Sequence, residues 1–305
     1  MPTVGLIGIG LVGAALAERL LNAGHAVVGL DVDPSRCELL RSMGGTSVDT
    51  SGAVIEAARC VVLALVQPAV TQHVVESIAP SLRAGDIVID VGTGDPQRIR
   101  SMLERVVARG ADLVDAPLSG SSEQIRAGAA IAMIGGRDDT VERLQWLWPA
   151  IARSRVHLGP TGSGQRAKLA TNLVLGLNRA ALAEGLAFAE ALGLDAAAFV
   201  ELLRISPAYS RAVEVKGERM LNRRYEPESR IVQHRKDVAL MLAAAESIGM
   251  ELPLSLAHAA QLDAAIAQGL GERDNAAIVE VWRQAGRGLS RADKQATKGQ
   301  APDET

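Results

Sequence analysis

Aromatic residues are scarce in this chain of 305 residues, which contains three Trp, two Tyr and two Phe. Proteins that bind nucleic acids by base stacking need such side chains together with a basic surface. Here 35 Asp and Glu residues outnumber 32 Lys and Arg residues, and no extended basic segment occurs. The composition therefore argues against a nucleic acid as a partner.

Cysteine is scarce as well, since Cys37 and Cys60 are the only two and neither belongs to a CxxC motif or a Cys/His cluster. Isolated cysteines of this kind are typical of small buried apolar side chains in a reducing compartment. The N-terminal stretch MPTVGLIGIG lacks the cationic region of a signal peptide. We therefore expect a cytoplasmic protein.

Long uninterrupted apolar runs and clustered metal ligands are missing too. The most apolar segment, residues 169–194, is interrupted by Arg179, Glu184 and Glu190, whereas a membrane-spanning helix needs about 20 apolar residues. We expect a buried helix there and no membrane association. The five histidines are dispersed without the spacing of metal ligands, so no metal site is expected.

The first half of the chain alternates short apolar runs with segments of helical length. The runs are bounded by Gly, Asp or Pro and comprise residues 3–9, 26–31, 60–66, 86–90 and 111–116. The helical segments between them are residues 11–23, 34–43, 68–82 and 96–109. This alternation predicts an α/β fold with a doubly wound parallel sheet covered on both faces. Two further runs, 130–136 and 155–159, are expected to extend that sheet.

The pattern changes after Gly164, where only helical periodicity remains, with breaks at Gly and Pro residues. The second half is therefore expected to be an all-α C-terminal domain entered by a long helix over residues 163–192. The predicted organisation is a cofactor-binding domain over residues 1–160, a helical substrate and oligomerisation domain over 161–295, and a polar flexible tail over 296–305.

The segment GIGLVG, residues 8–13, has the spacing G-x-G-x-x-G, follows a predicted strand and opens a predicted helix. In that context the motif indicates a dinucleotide-binding turn. Gly8 permits the tight turn, Gly10 lets the backbone approach a pyrophosphate, and Gly13 lets helix and strand pack closely. The phosphates would bind the unpaired N–H groups at the helix start. The predicted cofactor residues of this turn are Gly8, Ile9, Gly10, Leu11, Val12 and Gly13.

Asp31 ends the second predicted strand, 18 residues after Gly13, where its carboxylate is expected to bind the ribose hydroxyls. A 2′-phosphate would meet a like charge at that position, and Val32 offers no guanidinium to bind it. The sequence therefore predicts NAD in preference to NADP. Arg36, in the following helix, is the residue that could reverse this preference.

Four segments, in order along the chain, resemble motifs of the β-hydroxyacid dehydrogenases, the group of 3-hydroxyisobutyrate dehydrogenase, tartronate semialdehyde reductase and threonate dehydrogenase. The segments are GLIGIGLVGAALAERLLNAGH near the N-terminus, DAPLSGSSEQIRAGAAIAMIGG (115–136), GPTGSGQRAKLATN (159–172) and KDVALMLAAA (236–245). The resemblance covers almost the whole chain. It implies a Rossmann-type domain, a helical domain and hydride transfer between a hydroxy acid and a nicotinamide cofactor.

The resemblance implies that Ser119 and Gly120 bind the substrate carboxylate through a hydroxyl and a close backbone N–H. Family members usually have a second glycine where this chain has Ser121, which is followed by Ser122. The two extra hydroxyls could recognise a more hydroxylated acid, could narrow the pocket, or could be ordinary turn and helix-cap residues.

Lys168 matches the family's catalytic lysine and Asn172 the asparagine one turn later. A lysine in the first turns of a helix is more often a solvated charge, but this one lies between a glycine-rich entry and an apolar run. Residues at i and i+4 share a helix face, so both side chains could reach one substrate oxygen. The resemblance implies that Lys168 is the general acid and base.

Further cofactor contacts are implied by the resemblance at Thr93 and Lys236, which match positions near the nicotinamide. The other implied cofactor contacts are Val66, the last residue of the predicted strand 60–66, and Gln67, in the loop after it, because relatives place that loop against the cofactor. His234 could line the site but is more simply a residue at a helix start.

The expected function is an NAD-dependent oxidoreductase that interconverts a small 3-hydroxy acid and its semialdehyde or keto acid. A 3-hydroxyisobutyrate-like, glycerate-like or sugar-acid-like substrate all remain open, and SGSS slightly favours the polyhydroxylated acids. The alternative is a non-catalytic NAD-binding module that senses the cofactor or serves as a scaffold. The long apolar helix also predicts a homo-oligomer, and the resemblance implies a dimer or a tetramer.

Overall fold

The computed structural model describes residues 1–284, apart from the side chains of Pro96 and Gln97. The chain divides into two compact units, Met1–Leu169 and Ala170–Thr305. The domain boundary expected near residue 160 remains a prediction. Residues 285–295, which we assigned to the helical domain, and the expected tail 296–305 lie outside the described residues.

The first unit contains a six-stranded, fully parallel sheet in the order β3-β2-β1-β4-β5-β6. Its strands are β1 (Thr3–Ile7), β2 (Ala26–Leu30), β3 (Thr46–Ser47), β4 (Cys60–Leu63), β5 (Ile87–Asp90) and β6 (Asp112–Asp115). Successive residues of β4 and β5 enter two different hydrophobic clusters: Val62 and Ile89 belong to one, Val61 and Val88 to the other. Both faces of the sheet are therefore buried, which confirms the predicted doubly wound α/β arrangement.

The helices of this unit lie between the strands. They are α1 (Leu11–Asn22), α2 (Pro34–Ser42), α3 (Ser51–Ala57), α4 (Pro68–Ile78), α5 (Pro96–Val107), α6 (Ser122–Arg126), α7 (Asp138–Arg143) and α8 (Trp148–Ile151). The sequence marks several starts: Asp33 caps α2 by accepting the N–H of Ser35 at 2.9 Å, and Pro34 and Pro68 are first helical residues.

The runs expected to extend the main sheet form a second sheet instead, so that expectation was wrong. Strands β7 (Leu118–Ser119), β8 (Ile131–Ile134) and β9 (Ser154–His157) pair in the order β7-β8-β9. An isolated antiparallel bridge between Asp115 and Gly135 joins the two sheets. Pro117, which has no N–H to donate, stands between β6 and β7 and separates the two sheets along the chain.

The described part of the second unit, residues 170–284, is helical and contains no strand, as the sequence predicts. It begins within α9 (Ser163–Ala191), the predicted long helix, and continues with α10 (Ala196–Ile205), α11 (Arg211–Leu221), α12 (Ile231–Glu246) and α13 (Pro253–Ala267). Asp274 is fully buried in this unit and accepts hydrogen bonds from Lys216 Nζ at 2.8 and 3.0 Å. Among the described helices, none is long and apolar enough to cross a membrane.

Candidate active site

The glycine-rich turn after β1 has the geometry that its spacing predicts. Gly8 has a φ of +93° and donates its N–H to the carbonyl of Leu30 at 2.9 Å. A Cβ on Gly13 would overlap the carbonyl oxygen of Gly8, so only glycine allows α1 to start this close to the strand. A Cβ on Gly10, in contrast, would meet no atom within 4 Å, so the backbone at Gly10 faces open space.

Asp31 follows β2 and lies against this turn. Its Oδ2 accepts the N–H of Ile9 at 2.5 Å and its Oδ1 accepts that of Asp33 at 2.9 Å. Val32 is fully exposed, and Leu11 is exposed as well. Ile9 is fully buried in the hydrophobic core and can contribute only backbone atoms to a ligand, whereas Val12 is partly buried and packs against that core. The open backbone at Gly10 and the nearby carboxylate fit the pyrophosphate and ribose of a dinucleotide.

The other cofactor residues predicted in the first unit lie at the carboxyl ends of neighbouring strands. Val66 and Gln67 are exposed and come after β4, with Gln67 immediately before α4. Thr93 is half-buried and comes after β5. Because β1, β4 and β5 are parallel neighbours, these loops share one edge of the sheet with the glycine-rich turn. Lys236 lies in α12 of the second unit and is half-buried.

The predicted substrate-binding residues form one turn between β7 and α6. Ser119 ends β7, Gly120 has a φ of +150°, and Ser122 is the first residue of α6. Ser121 is the N-cap residue: its Oγ accepts the N–H of Gln124 at 3.2 Å, and its own N–H donates to Gln124 Oε1 at 2.8 Å. The extra hydroxyl at residue 121 therefore serves as a helix cap, one of the roles that the sequence left open.

Lys168 is buried, with 8% of its surface exposed, although it lies in the second turn of α9. The start of that helix packs tightly, because a Cβ on Gly164 would overlap the carbonyl oxygen of Met133. Asn172 follows four residues later, is half-buried, and its Nδ2 lies 3.5 Å from Asp237 Oδ2. Lys168 is thus not a solvated surface charge.

Three buried polar residues near the start of α9 were not singled out by the sequence analysis, namely Asp90, Asp115 and Gln165. Asp115 accepts the N–H of Gly162 at 2.5 Å and that of Gln165 at 2.7 Å, so it caps α9 from the end of β6. Asp90, at the end of β5, accepts the N–H of Gly92 at 3.0 Å. Each aspartate ends a buried apolar strand, which is the signal that could have identified them.

Burial raises the pKa of both aspartates. For Asp90, desolvation raises the pKa to about 7; the hydrogen bond from Gly92 opposes this and the nearby Asp115 adds to it. For Asp115, desolvation again raises the pKa, and the N–H groups of Gly162 and Gln165 oppose the rise. A carboxyl group with a pKa near neutrality, buried beside a candidate catalytic helix, makes this region a candidate functional site.

His234 does not line an open site. Within the second unit its Nε2 lies 3.0 Å from Nε2 of His258, and both side chains are buried. Burial and the neighbouring Arg179 lower the pKa of His234 to about 2 and that of His258 to about 4, so both rings are neutral at pH 7. Over residues 1–284, no three His, Cys, Asp or Glu residues come together as a metal site would require.

Comparisons with known proteins agree with this geometry over both units. Residues 3–159 match the family model for the NAD binding domain of 6-phosphogluconate dehydrogenase. Residues 162–282 match the model described as the NAD-binding of NADP-dependent 3-hydroxyisobutyrate dehydrogenase. The two matches together span nearly all the described residues.

Individual relatives are similar over nearly their whole length. The chain is 30% identical over 280 residues to 2-hydroxy-3-oxopropionate reductase of Escherichia coli (strain K12). This alignment covers 91% of this chain and 96% of that protein. It is 27% identical to 2-(hydroxymethyl)glutarate dehydrogenase of Eubacterium barkeri, over 92% of this chain and 95% of that protein. A solved structure of Mycobacterium tuberculosis 3-hydroxyisobutyrate dehydrogenase with L-serine superposes with a TM-score of 0.88 at 25% identity, covering 93% of this chain and 99% of that one.

A parallel sheet with a glycine-rich turn at its carboxyl edge, followed by a helical unit, defines a dinucleotide-binding protein. The chain belongs to the β-hydroxyacid dehydrogenase family. It is therefore an oxidoreductase that acts on the CH–OH group of hydroxy acids with a nicotinamide dinucleotide.

Proposed function

We propose that the protein interconverts a small 3-hydroxy acid and its semialdehyde or keto acid with NAD, and that Lys168 is the general acid and base. The observation that carries the proposal is the burial of Lys168 near the start of α9, a helix that Asp115 caps. When bound, the nicotinamide accepts or supplies the hydride. During oxidation, Lys168 Nζ takes the proton of the substrate hydroxyl, and during reduction it returns that proton to the carbonyl oxygen.

Asn172 supports this role because it lies one turn beyond Lys168 on the same face of α9. Its carboxamide would hold the same substrate oxygen and so fix the direction in which the proton leaves. In the first unit, Ser119 and Gly120 would bind the substrate carboxylate, with Ser121 and Ser122 completing that turn. In this proposal Thr93 and Lys236 approach the nicotinamide end of the cofactor, and Val66 and Gln67 flank it.

The proposed substrate class rests on the relatives as well as on the site. The E. coli relative is named for 2-hydroxy-3-oxopropionate, and the M. tuberculosis structure contains L-serine. Both compounds are three-carbon acids that carry an oxygen on C3, the carbon β to the carboxylate. A pocket that binds such an acid needs a carboxylate-binding turn and one proton-transfer group, and this chain has candidates for both.

The test is NADH formation by the wild type, Lys168→Ala and Lys168→Met with 3-hydroxyisobutyrate, serine, glycerate, threonate and erythronate. We expect turnover of at least one acid, and a loss of about 10²–10⁴-fold in kcat in both variants, because a general acid and base contributes about that much. Both variants should still bind NADH as the wild type does, as measured by fluorescence titration. Turnover retained by both variants would refute the role of Lys168, and NADH binding without turnover of any acid would favour the non-catalytic module.

The preference for NAD over NADP is proposed from the surroundings of Asp31. A 2′-phosphate would lie near its carboxylate, and two unit charges 4 Å apart repel each other by about 4 kcal/mol at an effective dielectric constant of 20. We expect a clear preference for NAD in kcat/KM, reduced in Asp31→Asn, where the repulsion is absent. An NADP preference in the wild type would contradict the proposal and would direct attention to Arg36.

We also propose that the protein is a cytoplasmic homodimer or homotetramer. In the second unit, Val174, Leu175 and Phe188 on α9 and Leu254 and Leu256 on α13 are exposed apolar side chains. Exposed apolar side chains that lie together on a surface are typical of protein–protein contacts. Sedimentation equilibrium should give two or four chains per particle, and a monomer at micromolar concentration would exclude both assemblies.

A further inference from the structure

Gln165 is a fully buried side chain that joins two segments of the first unit. Its Oε1 accepts the N–H of Gly94 at 2.7 Å, and its Nε2 donates to the carbonyl of Gly92 at 2.7 Å. The two hydrogen bonds hold the backbone in place on both sides of Thr93. One carboxamide therefore fixes the loop after β5 to the first turn of α9.

This arrangement is not a requirement of the helix itself. The N–H of Gln165 already has its partner in Asp115 Oδ2 at 2.7 Å, and Asp115 also caps Gly162. The side chain of Gln165 makes no contribution to that cap and is directed to the loop after β5 instead. An apolar side chain would fill the same buried space without holding the loop.

The position of Gln165 on the helix links the loop to Lys168. Residues at i and i+3 lie on the same side of a helix, about 5–6 Å apart at Cβ. Gln165, Lys168 and Asn172 have the spacing i, i+3 and i+7, so they form one stripe along α9. Fixing the first turn of α9 against the loop therefore sets the distance between Thr93 and the lysine.

We propose that Gln165 is a positioning residue for hydride transfer, which holds the Gly92–Gly94 loop in register with Lys168. The proposal rests on the proposed function, because that function places Thr93 beside the nicotinamide and gives Lys168 the proton. Gln165 itself touches the loop backbone and acts through it. Hydride transfer is sensitive to such positioning, since a displacement of about 1 Å costs about 10²-fold in rate.

The first test compares Gln165→Met with the wild type. Methionine fills a similar volume but removes both bonds to the loop. We expect kcat to fall about 10- to 100-fold, while KM for NAD changes by no more than a few fold, because the glycine-rich turn and Asp31 still bind the rest of the dinucleotide. The kinetic isotope effect with substrate deuterated at the hydroxyl-bearing carbon should increase, since the hydride step becomes more rate-limiting.

Gln165→Glu tests the pH dependence of kcat, which a purely structural role of Gln165 would not change. Its carboxyl group would retain the oxygen that accepts the N–H of Gly94, and it would direct the other oxygen at the carbonyl of Gly92. When protonated, that carboxyl donates to the carbonyl and keeps the loop in place; when ionised, it repels the carbonyl. The ratio of the kcat of this variant to that of the wild type should therefore rise as the pH falls from about 9 to about 6.

Two carboxyl groups beside this position support the same direction. Asp90 Oδ2, at the end of β5, lies 3.5 Å from Gln165 Nε2, and Asp115 approaches from the end of β6. Both carboxyl groups oppose ionisation of a neighbouring carboxyl. On α9 itself, Arg166 and Lys168 are the nearest cationic residues and favour ionisation, with Arg166 acting on Asp115.

The matched control is Gln145→Glu. Gln145 is exposed, and its Oε1 accepts a hydrogen bond from Arg155 Nη2 at 2.8 Å on the surface. This control should keep the kcat, KM and pH profile of the wild type. Circular dichroism of every variant checks that it is folded, and Gln165→Glu at low pH serves where Gln165→Met does not fold.

A readout without turnover separates this proposal from the proposed function. Bound NADH changes its fluorescence when the nicotinamide is held in a fixed environment, whether or not a substrate has been found. We expect folded Gln165 variants to bind NADH with nearly unchanged affinity but to lose most of this change in emission. A wild type that turns over no hydroxy acid would refute the proposed function alone. Gln165→Met with the kcat, isotope effect and NADH emission of the wild type would overturn the positioning role.

Discussion

Asp90 should make the protein less stable as the pH rises from about 4 to about 7. The carboxyl group is 2% exposed at the end of β5, and burial raises its pKa from 3.8 to about 7. Over this pH interval the unfolded chain ionises at residue 90 while the folded protein keeps the proton. The unfolded state then binds fewer protons than the folded one, so the free energy of unfolding falls as the pH increases.

The size of the effect follows from the shift. A rise from 3.8 to about 7 corresponds, at 1.36 kcal/mol per pKa unit, to about 4 kcal/mol. Most domains have a free energy of unfolding of about 5–15 kcal/mol, so this loss is a large share of the total. Asp90→Asn removes the ionisation and leaves an oxygen that still accepts the N–H of Gly92. The variant should therefore match the wild type near pH 4 and exceed its stability at pH 8.

Urea unfolding at several pH values measures this difference. Trp146 and Trp148, two of the three tryptophans, lie in the first unit and report its unfolding by fluorescence. Asp138→Asn is the control, because its carboxylate is 99% exposed. Parallel curves of stability against pH for Asp90→Asn and the wild type would refute the reasoning, since they would mean that Asp90 titrates alike in both states.

Three further outcomes follow from close contacts and buried groups. Gly13→Ala should lose NADH binding in a fluorescence titration, because its Cβ would overlap the carbonyl oxygen of Gly8; binding as tight as in the wild type would contradict the structure of the turn. Asp274→Ala should lower the free energy of unfolding by about 3–5 kcal/mol, because it leaves Lys216 buried without its carboxylate. Trp148→Ala should cost about 3–5 kcal/mol in urea unfolding followed by circular dichroism, because its side chain is fully buried; a cost below about 1 kcal/mol would mean that the cavity collapses.

The sequence predicted the helices of the first unit closely where local signals mark their ends. Proline at the first helical position and Asp33 as a cap identify the starts of α2 and α4, and the predicted helix over residues 163–192 is α9. The partner of a strand, however, has no comparable local signal. Runs 130–136 and 155–159 look like strands of the main sheet in composition, yet β8 and β9 pair with each other and with β7.

The candidate site divides in the same way. By itself, the sequence determined the dinucleotide-binding turn, because the conformations of Gly8, Gly10 and Gly13 are local requirements of six consecutive residues. Only the tertiary structure decided that Asp90, Asp115 and Gln165 meet. Asp90 and Asp115 are register partners in β5 and β6. Gln165 contacts both, although it lies 50 residues after Asp115 and 75 residues after Asp90 in the chain. Contacts over such separations depend on which strands become neighbours, and long-range burial and pairing across the whole sheet decide that.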